Sequence, residues 1–222
     1  VAYTGFSALS VSLNTRAALA PRGSWLAFGT GTSERAMRRE ERAKGLLAWV
    51  ALPAAILLHS ITAWIFGLQI SRGFWYSAIM APMFVASALV SGTALVILLA
   101  LVLRRLRRLS FGDDLVAFLG GLLAVFIAVE AFFVGAEMLT AGYPGAPDES
   151  VLIQRLLVGP YAPLFWFEVA VGLGIPFLIL AVRRTRRSVA WVAIASVIAV
   201  VGIFVHRLNL ILNGLSFVPV GL

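Results

Sequence analysis

Six ionisable side chains stand inside runs of otherwise apolar residues: His59, Glu130, Glu137, Glu168, His206 and Arg207. In hydrocarbon each costs ~2.5–3.5 kcal/mol on insertion scales, so each needs a partner, a hydrated cavity or a task. Imidazole changes protonation near neutral pH, and carboxylates exchange protons when partly buried, so the set suits proton transfer with a bound ligand. Helical spacing groups these residues. His59, Thr62, Phe66 and Gln69 fall along one face, because residues three, four and seven apart return to the same side. Glu130 and Glu137 share a second face, and His206, Asn209 and Asn213 a third, with Arg207 about 100° away. Within their runs, His59 is central, Glu130 and Glu168 are intermediate, and Gln69, Glu137, His206, Arg207, Asn209 and Asn213 lie toward one end. The expected arrangement is a polar pocket opening toward that end between several helices.

Each residue also has a structural reading. Arg207 suits a pair with Glu168 or Glu137 that holds a bundle together. Gln69, Asn209 and Asn213 suit the satisfaction of helix ends, and Glu137 suits simple solvation at an interface. The central position of His59 is the hardest to explain by packing, and Glu130 comes next, since a carboxylate at that depth must be protonated, paired or hydrated. Two histidines raise axial ligation of haem. His59 and His206 would sit about 7 to 8 Å apart in depth at 1.5 Å rise per residue, an awkward pair for one iron. No haem or metal is expected in this chain, and its lack of cysteine excludes disulfides and cysteine-ligated iron–sulfur clusters.

The elements that must position these groups are transmembrane helices. The chain is 61% hydrophobic and 13% charged, with a mean hydropathy of +0.97, whereas soluble domains have about 25% charged residues. Runs near 46–70, 76–103, 115–141, 158–182 and 189–212 are each long enough to span, and a sixth near 1–19 is weaker, carrying Thr4, Ser7, Ser10, Ser12, Asn14 and Thr15. Of the 18 basic residues, all but Arg72, Arg155 and Arg207 fall in clusters on one side: Arg16 with Arg22, Arg35–Lys44, Arg104–Arg108 and Arg183–Arg187. By the positive-inside rule that side is cytoplasmic, and the polar pocket opens outward. The charge is accounted for by anchoring, with anionic lipid as a partner and nucleic acid not expected. The charged run Glu34–Lys44 predicts an interfacial helix, and the connection near 142–157, with Pro144 and Pro147, a turn and a short surface element. Ser87, Ser91 and Ala94 form a small-residue stripe for close helix contact, and Pro53 and Pro176 interrupt helices. The reading is an all-α integral membrane protein, a single polytopic domain over residues 1–222 of about six transmembrane helices. The missing initiator and charged leader at Val1 suggest a longer parent subunit.

Several stretches in order carry a family resemblance. They are His59-Ser60-Ile61-Thr62-Ala63-Trp64-Ile65-Phe66-Gly67, Trp75–Ala78, Ala81–Gly92, Leu157–Trp166 and His206–Gly214. Together they resemble the NrfD/polysulfide-reductase membrane subunit family. The resemblance implies eight to ten helices in the whole subunit, hence helices upstream of Val1. It also implies quinone binding (menaquinone or ubiquinone) near the outer face. The implied partners are a four-cluster, ferredoxin-like iron–sulfur subunit and a catalytic molybdopterin or multihaem cytochrome subunit. The implied location is a prokaryotic cytoplasmic (inner) membrane.

Carried onto matching positions, the resemblance makes His59 the leading quinone contact, followed by Arg207 and Asn209; Gln69 joins them from its helical face. Glu130 and Glu168 are assigned to proton movement from their depth alone. The chain is expected to exchange electrons between the quinone pool and the iron–sulfur partner without holding a catalytic centre itself. A proton-translocating module, and a transporter or passive anchor, stay open as alternatives.

Overall fold

The computed structural model describes residues 34–70, 75–108, 110–143 and 153–216. The expected helix near 1–19 lies outside them. Among the described residues every regular element is helical: α1 Glu34–Gly67, α2 Met80–Arg105, α3 Asp113–Gly142, α4 Ala162–Ala181, α5 Arg183–Arg186 and α6 Val189–Ser216. Five helices among the described residues are long and apolar enough to cross a membrane, α1 contributing Trp49–Gly67. The charged run from Glu34 is helical as expected, but it continues without a break into the apolar part of α1, and Pro53 lies inside that helix. A single helical turn at 153–157 stands where the surface element was expected. The chain divides into two units, Val1–His59 and Ser60–Leu222, and the packing described below is that of the second.

In that unit α6 is the central element, packed on α2, α3 and α4. Its buried positions, Val192, Ala195, Ser196, Ala199, Gly202, Ile203, His206, Asn209, Leu210 and Asn213, recur every three or four residues, the signature of one helix face turned to neighbours. The first half of this stripe is small and apolar, and the second half is polar. Large apolar side chains such as Leu99, Phe118, Phe132, Leu178 and Phe204 face outward. Lipid is as apolar as these side chains, so close packing rather than hydrophobic burial holds such helices together.

Two glycines make the closest approach. A Cβ built on Gly172 of α4 would come 2.6 Å from the Cα of Gly202 of α6, and one on Gly202 would fall closer still to Gly172. The two backbones are therefore in direct contact. Just at this crossing α4 is not a regular α-helix. Residues Phe167–Gly174 form a π-helical segment, and the Ile175 N–H bonds the Ala170 carbonyl five residues back. Pro176 follows immediately. A proline ring crowds the carbonyl four residues before it and offers no N–H, and the wider turn relieves that crowding. Glu168 lies in the first turn of this wider segment, so its direction differs from that of a regular α-helix continuing back from Ile175.

The arginine-rich end closes tightly. Arg104 and Asp113 pair at 2.6 Å across the turn from α2 to α3, and Arg104 lies over the Phe111 ring. Arg107 takes a left-handed conformation with φ 54. Its N–H bonds the Arg104 carbonyl, and the Arg108 N–H bonds that of Leu103. This is the double bond of a Schellman helix end, built without glycine. Arg186 lies against Gly120 and Gly121 near the start of α3, so the two R-R-x-R-R clusters occupy the same end of the bundle, as the alternation of charge and hydropathy predicts.

The glycine contact yields a direct test. Gly202→Val should lower stability by about 1–3 kcal/mol through overpacking, a fall of roughly 3–10 °C in the unfolding midpoint in detergent. Gly135→Ala, with nothing within 4 Å of the added methyl, should leave the midpoint in place.

Candidate functional site

The polar half of the α6 stripe meets the π segment of α4. His206 Nδ1 lies 2.6 Å from Glu168 Oε1; the carboxylate accepts, so Nδ1 carries the hydrogen. The other oxygen of Glu168 accepts from Asn209 Nδ2 at 3.1 Å. Asn213 Nδ2 in turn donates to the backbone and side-chain oxygens of Asn209. All four residues are buried. The i, i+3, i+7 spacing of His206, Asn209 and Asn213 lets one helix face grip a single carboxylate and lock its orientation.

On the opposite edge of the imidazole, His206 Nε2 is 3.7 Å from Glu130 Oε1 of α3. That exceeds hydrogen-bonding distance. His206 Nε2 and both oxygens of Glu130 are buried and have no hydrogen-bond partner among the described residues. An unsatisfied buried polar atom ordinarily costs about 1–3 kcal/mol, so a cluster with three of them calls for an explanation beyond packing. Arg207 is near enough for its charge to act on Glu130. Two carboxylates, an imidazole and a guanidinium of opposite sign lie together, an arrangement a low-dielectric setting tolerates better than an isolated charge. The imidazole separates the carboxylates, one at each nitrogen. They do not converge on a point, and among the described residues no three His, Asp or Glu side chains form a metal-holding group.

Above this cluster is a cavity of about 180 Å³. Glu168, His206 and Asn209 form its polar floor; Met80, Met83, Val134, Met138, Leu156 and Phe165 are among its apolar walls; Tyr76, Ser77, Glu137 and Thr140 stand at its mouth. It opens at the end away from the arginine clusters, between residues of α2, α3, α4 and α6. Trp75 fastens the approach to α2 onto α6, its Nε1 donating to the Leu210 carbonyl at 2.9 Å. The absence of a Cβ at Gly214 makes room for the Trp75 ring.

The residues singled out from the sequence are distributed as follows. Glu168 and Asn209 line the cavity, and Glu130 lies behind His206 at 0% exposure. Arg207 is half-buried beside the cluster rather than on the cavity wall. Its Nη2 donates to Ser87 Oγ at 3.2 Å, and its guanidinium lies 5.4 Å from the Phe84 ring centre. Glu168, one carboxylate suggested for Arg207, is instead taken by His206 and Asn209. Ser87, which the sequence assigns to a packing stripe, supplies the hydroxyl for Arg207. Gln69 is exposed just past the end of α1, in a surface groove with Trp64, Leu68 and Ile70. His59 belongs to the first unit, where its Nδ1 lies 2.9 Å from the Ala55 carbonyl one turn back.

His206 is the residue that sequence reasoning undervalued. Its polar stripe with Asn209 and Asn213 is visible in the sequence, but nothing local shows that Glu168 and Glu130 flank it.

The helices and this cluster define a multi-pass membrane protein with an ionisable group buried beneath a cavity at one end of its bundle. The chain belongs to the polysulphide reductase NrfD family, which it matches over residues 1–219. It is 34% identical over 203 residues to a Halobacterium salinarum protein provisionally named as a dimethyl sulfoxide reductase membrane subunit; the match covers 91% of this chain and 46% of that protein. It is 28% identical over 180 residues to the Hdr-like menaquinol oxidoreductase integral membrane subunit of Archaeoglobus fulgidus, a match over 80% of this chain and 45% of that one. A selenate reductase subunit from Mesobacillus selenatarsenatis matches at 28% over 154 residues, 69% of this chain and 36% of that one. The matched segments cover less than half the length of each of these relatives.

The Glu168–His206 pair should behave as one energetic unit. A double-mutant cycle with Glu168→Gln and His206→Gln, read by thermal unfolding, should give a coupling of about 1–3 kcal/mol. A coupling below about 0.5 kcal/mol would mean that the two side chains are independent.

Proposed function

We propose that this chain is part of the quinone-binding membrane subunit of a respiratory oxidoreductase complex, and that the cavity above His206 receives the quinone ring. The observation that carries the reading is the buried Glu168–His206–Glu130 cluster beneath a cavity with apolar walls. Membership of the NrfD family and the name of the Archaeoglobus fulgidus relative, a menaquinol oxidoreductase membrane subunit, support it. The residues fit such a ligand. Flat apolar side chains and flexible methionines suit a ring, and Glu168, His206 and Asn209 give the cavity a polar floor.

A bound quinone supplies two-electron, two-proton chemistry at its ring oxygens. The chain's own task is then to hold that ring and manage the protons. Glu168 fixes the imidazole through Nδ1, as a carboxylate orients histidine in acid–base sites. His206 takes or gives a proton, and Glu130, 3.7 Å from Nε2, stores it on the far side of the ring. Asn209 hydrogen-bonds and orients, while Arg207 offsets negative charge from the side. The walls exclude bulk water, which strengthens each of these interactions. Electrons pass to or from a docked iron–sulfur subunit of four clusters and, through it, a molybdopterin or multihaem catalytic subunit. A chain without cysteine cannot ligate such clusters through thiolates. The cluster's end of the bundle faces outward from a prokaryotic cytoplasmic membrane, by the positive-inside rule.

Family resemblance favours His59 as the ring contact, with Gln69 beside it, and the buried cluster favours His206. One experiment on the intact complex separates them: quinol-linked turnover in His206→Gln and His59→Ala, with dye-linked turnover of the catalytic partner as the assembly control. We expect His206→Gln to lose about 10²-fold or more of quinol-linked activity, the ordinary contribution of a positioned acid–base group, while dye-linked activity persists. Loss in His59→Ala alone would move the ring contact to His59. Retention in both would reduce the chain to an anchor.

A further inference from the structure

Glu137 is a second carboxylate on the same cavity, and the proposed acid–base cluster does not use it. It is one turn-pair above Glu130 on α3, seven residues or ~10.5 Å along the axis, and it lines the mouth while Glu168 and His206 line the floor. At 30 residues α3 is ~45 Å long, which exceeds a hydrocarbon core of about 30 Å. With the excess shared between the ends, Glu137 falls at the edge of the hydrocarbon and Glu130 ~10 Å within it. Ser77 Oγ donates to Glu137 Oε2 at 2.7 Å and accepts from the Ile79 N–H at 3.2 Å. The carboxylate is thus held toward the cavity at the junction of wet and dry.

We infer that Glu137 is the group through which the buried cluster exchanges protons with the aqueous phase at the end of the bundle opposite the arginine clusters. This deepens the quinone reading and rests on it. The route is short and polar at both ends. Its groups are Glu168, His206 and Asn209 below, then Thr140 and Glu137 above, around a space of about 180 Å³; Ser77 only steadies the Glu137 carboxylate and is not a step of the route. Each water needs ~10–15 Å³ of such space and two or more polar partners, so a chain of several waters fits once the ring has left the cavity. For each quinol oxidised, two electrons go to the one-electron carriers of the docked partner. The two ring protons go to His206 and its carboxylates, and Glu137 passes them to water. Reduction runs the same steps backwards. Among the described residues nothing comparable is seen on the far side of Glu130, where the α6 stripe is made of Ser196, Ala195, Ala199, Gly202 and Ile203 and Ser196 bonds its own helix.

The test uses the intact complex in proteoliposomes with menadiol as the probe. Glu137→Gln keeps an oxygen to accept from Ser77 but cannot take up or release a proton. It should slow quinol-linked turnover by about tenfold or more, raise the solvent deuterium isotope effect, and leave KM for menadiol and the unfolding midpoint unchanged. Glu137→Asp should recover most of the rate. Ser77→Ala removes the hydrogen bond and the helix contact while sparing the carboxylate, and it should stay within about twofold of wild type. Wild-type turnover and isotope effect in Glu137→Gln, with His206→Gln inactive, would overturn the exchange route alone. Equal losses in Ser77→Ala and Glu137→Gln would reduce the pair to a structural tie. Full activity in His206→Gln would overturn both the cavity reading and this one.

Discussion

The 2.6 Å contact between His206 and Glu168 is the constraint to which the rest of the second unit answers. Two ionisable groups in a low-dielectric interior are tolerable only if they touch and if their remaining polar atoms are occupied. To touch, α4 and α6 must run backbone to backbone, which the Gly172–Gly202 crossing permits. Glu168 must also be turned toward α6, and the π-helical segment before Pro176 does that. Asn209 and Asn213 then fill the acceptor positions that would otherwise be left bare. Removing any one of these features leaves the others without a reason.

The cluster opposes stability as much as it organises it. Glu130 and the second nitrogen of His206 face each other across 3.7 Å without a hydrogen bond. In water such groups would relax into solvent; here the surrounding helices hold them apart. Next along α6 comes its close-packed half, where Val192, Ala195, Ala199 and Ile203 are fully buried or nearly so. The small apolar half of one helix adjoins the polar half of the same helix. A proton moving between the three side chains changes where charge sits without changing its total, and this keeps the cost of a proton transfer low in a dry setting.

The two ends of the bundle have different tasks. The arginine end is closed by a turn stapled with Arg104, Asp113 and Phe111 and by the left-handed Arg107. An exposed ion pair contributes little energy, so these contacts set geometry rather than stability. The other end is open, latched by Trp75 on Leu210, and its cavity walls combine apolar side chains with a few polar ones. The asymmetry of charge along the sequence is thus matched by an asymmetry of packing along the bundle.

The sequence by itself determined where the chain crosses and turns back, because apolar runs of span length and the arginine clusters between them are local properties of the chain. Helix limits fell within a few residues for the same reason, apart from α1, whose charged run continues the span. The sequence also placed His206, Asn209 and Asn213 on one face, since that needs only helical periodicity. Tertiary structure alone decided the pairing. Glu130, Glu137 and Glu168 look alike to a sequence reader, and all three are near enough in depth to meet His206 or Arg207. The π segment rotates Glu168 onto His206 and Asn209, helix packing sets Glu130 behind the imidazole, and Arg207 goes to Ser87 and Phe84. These outcomes depend on the rotation of each helix about its own axis, which is fixed by contacts such as Gly172 on Gly202 that lie 30 residues apart in the chain.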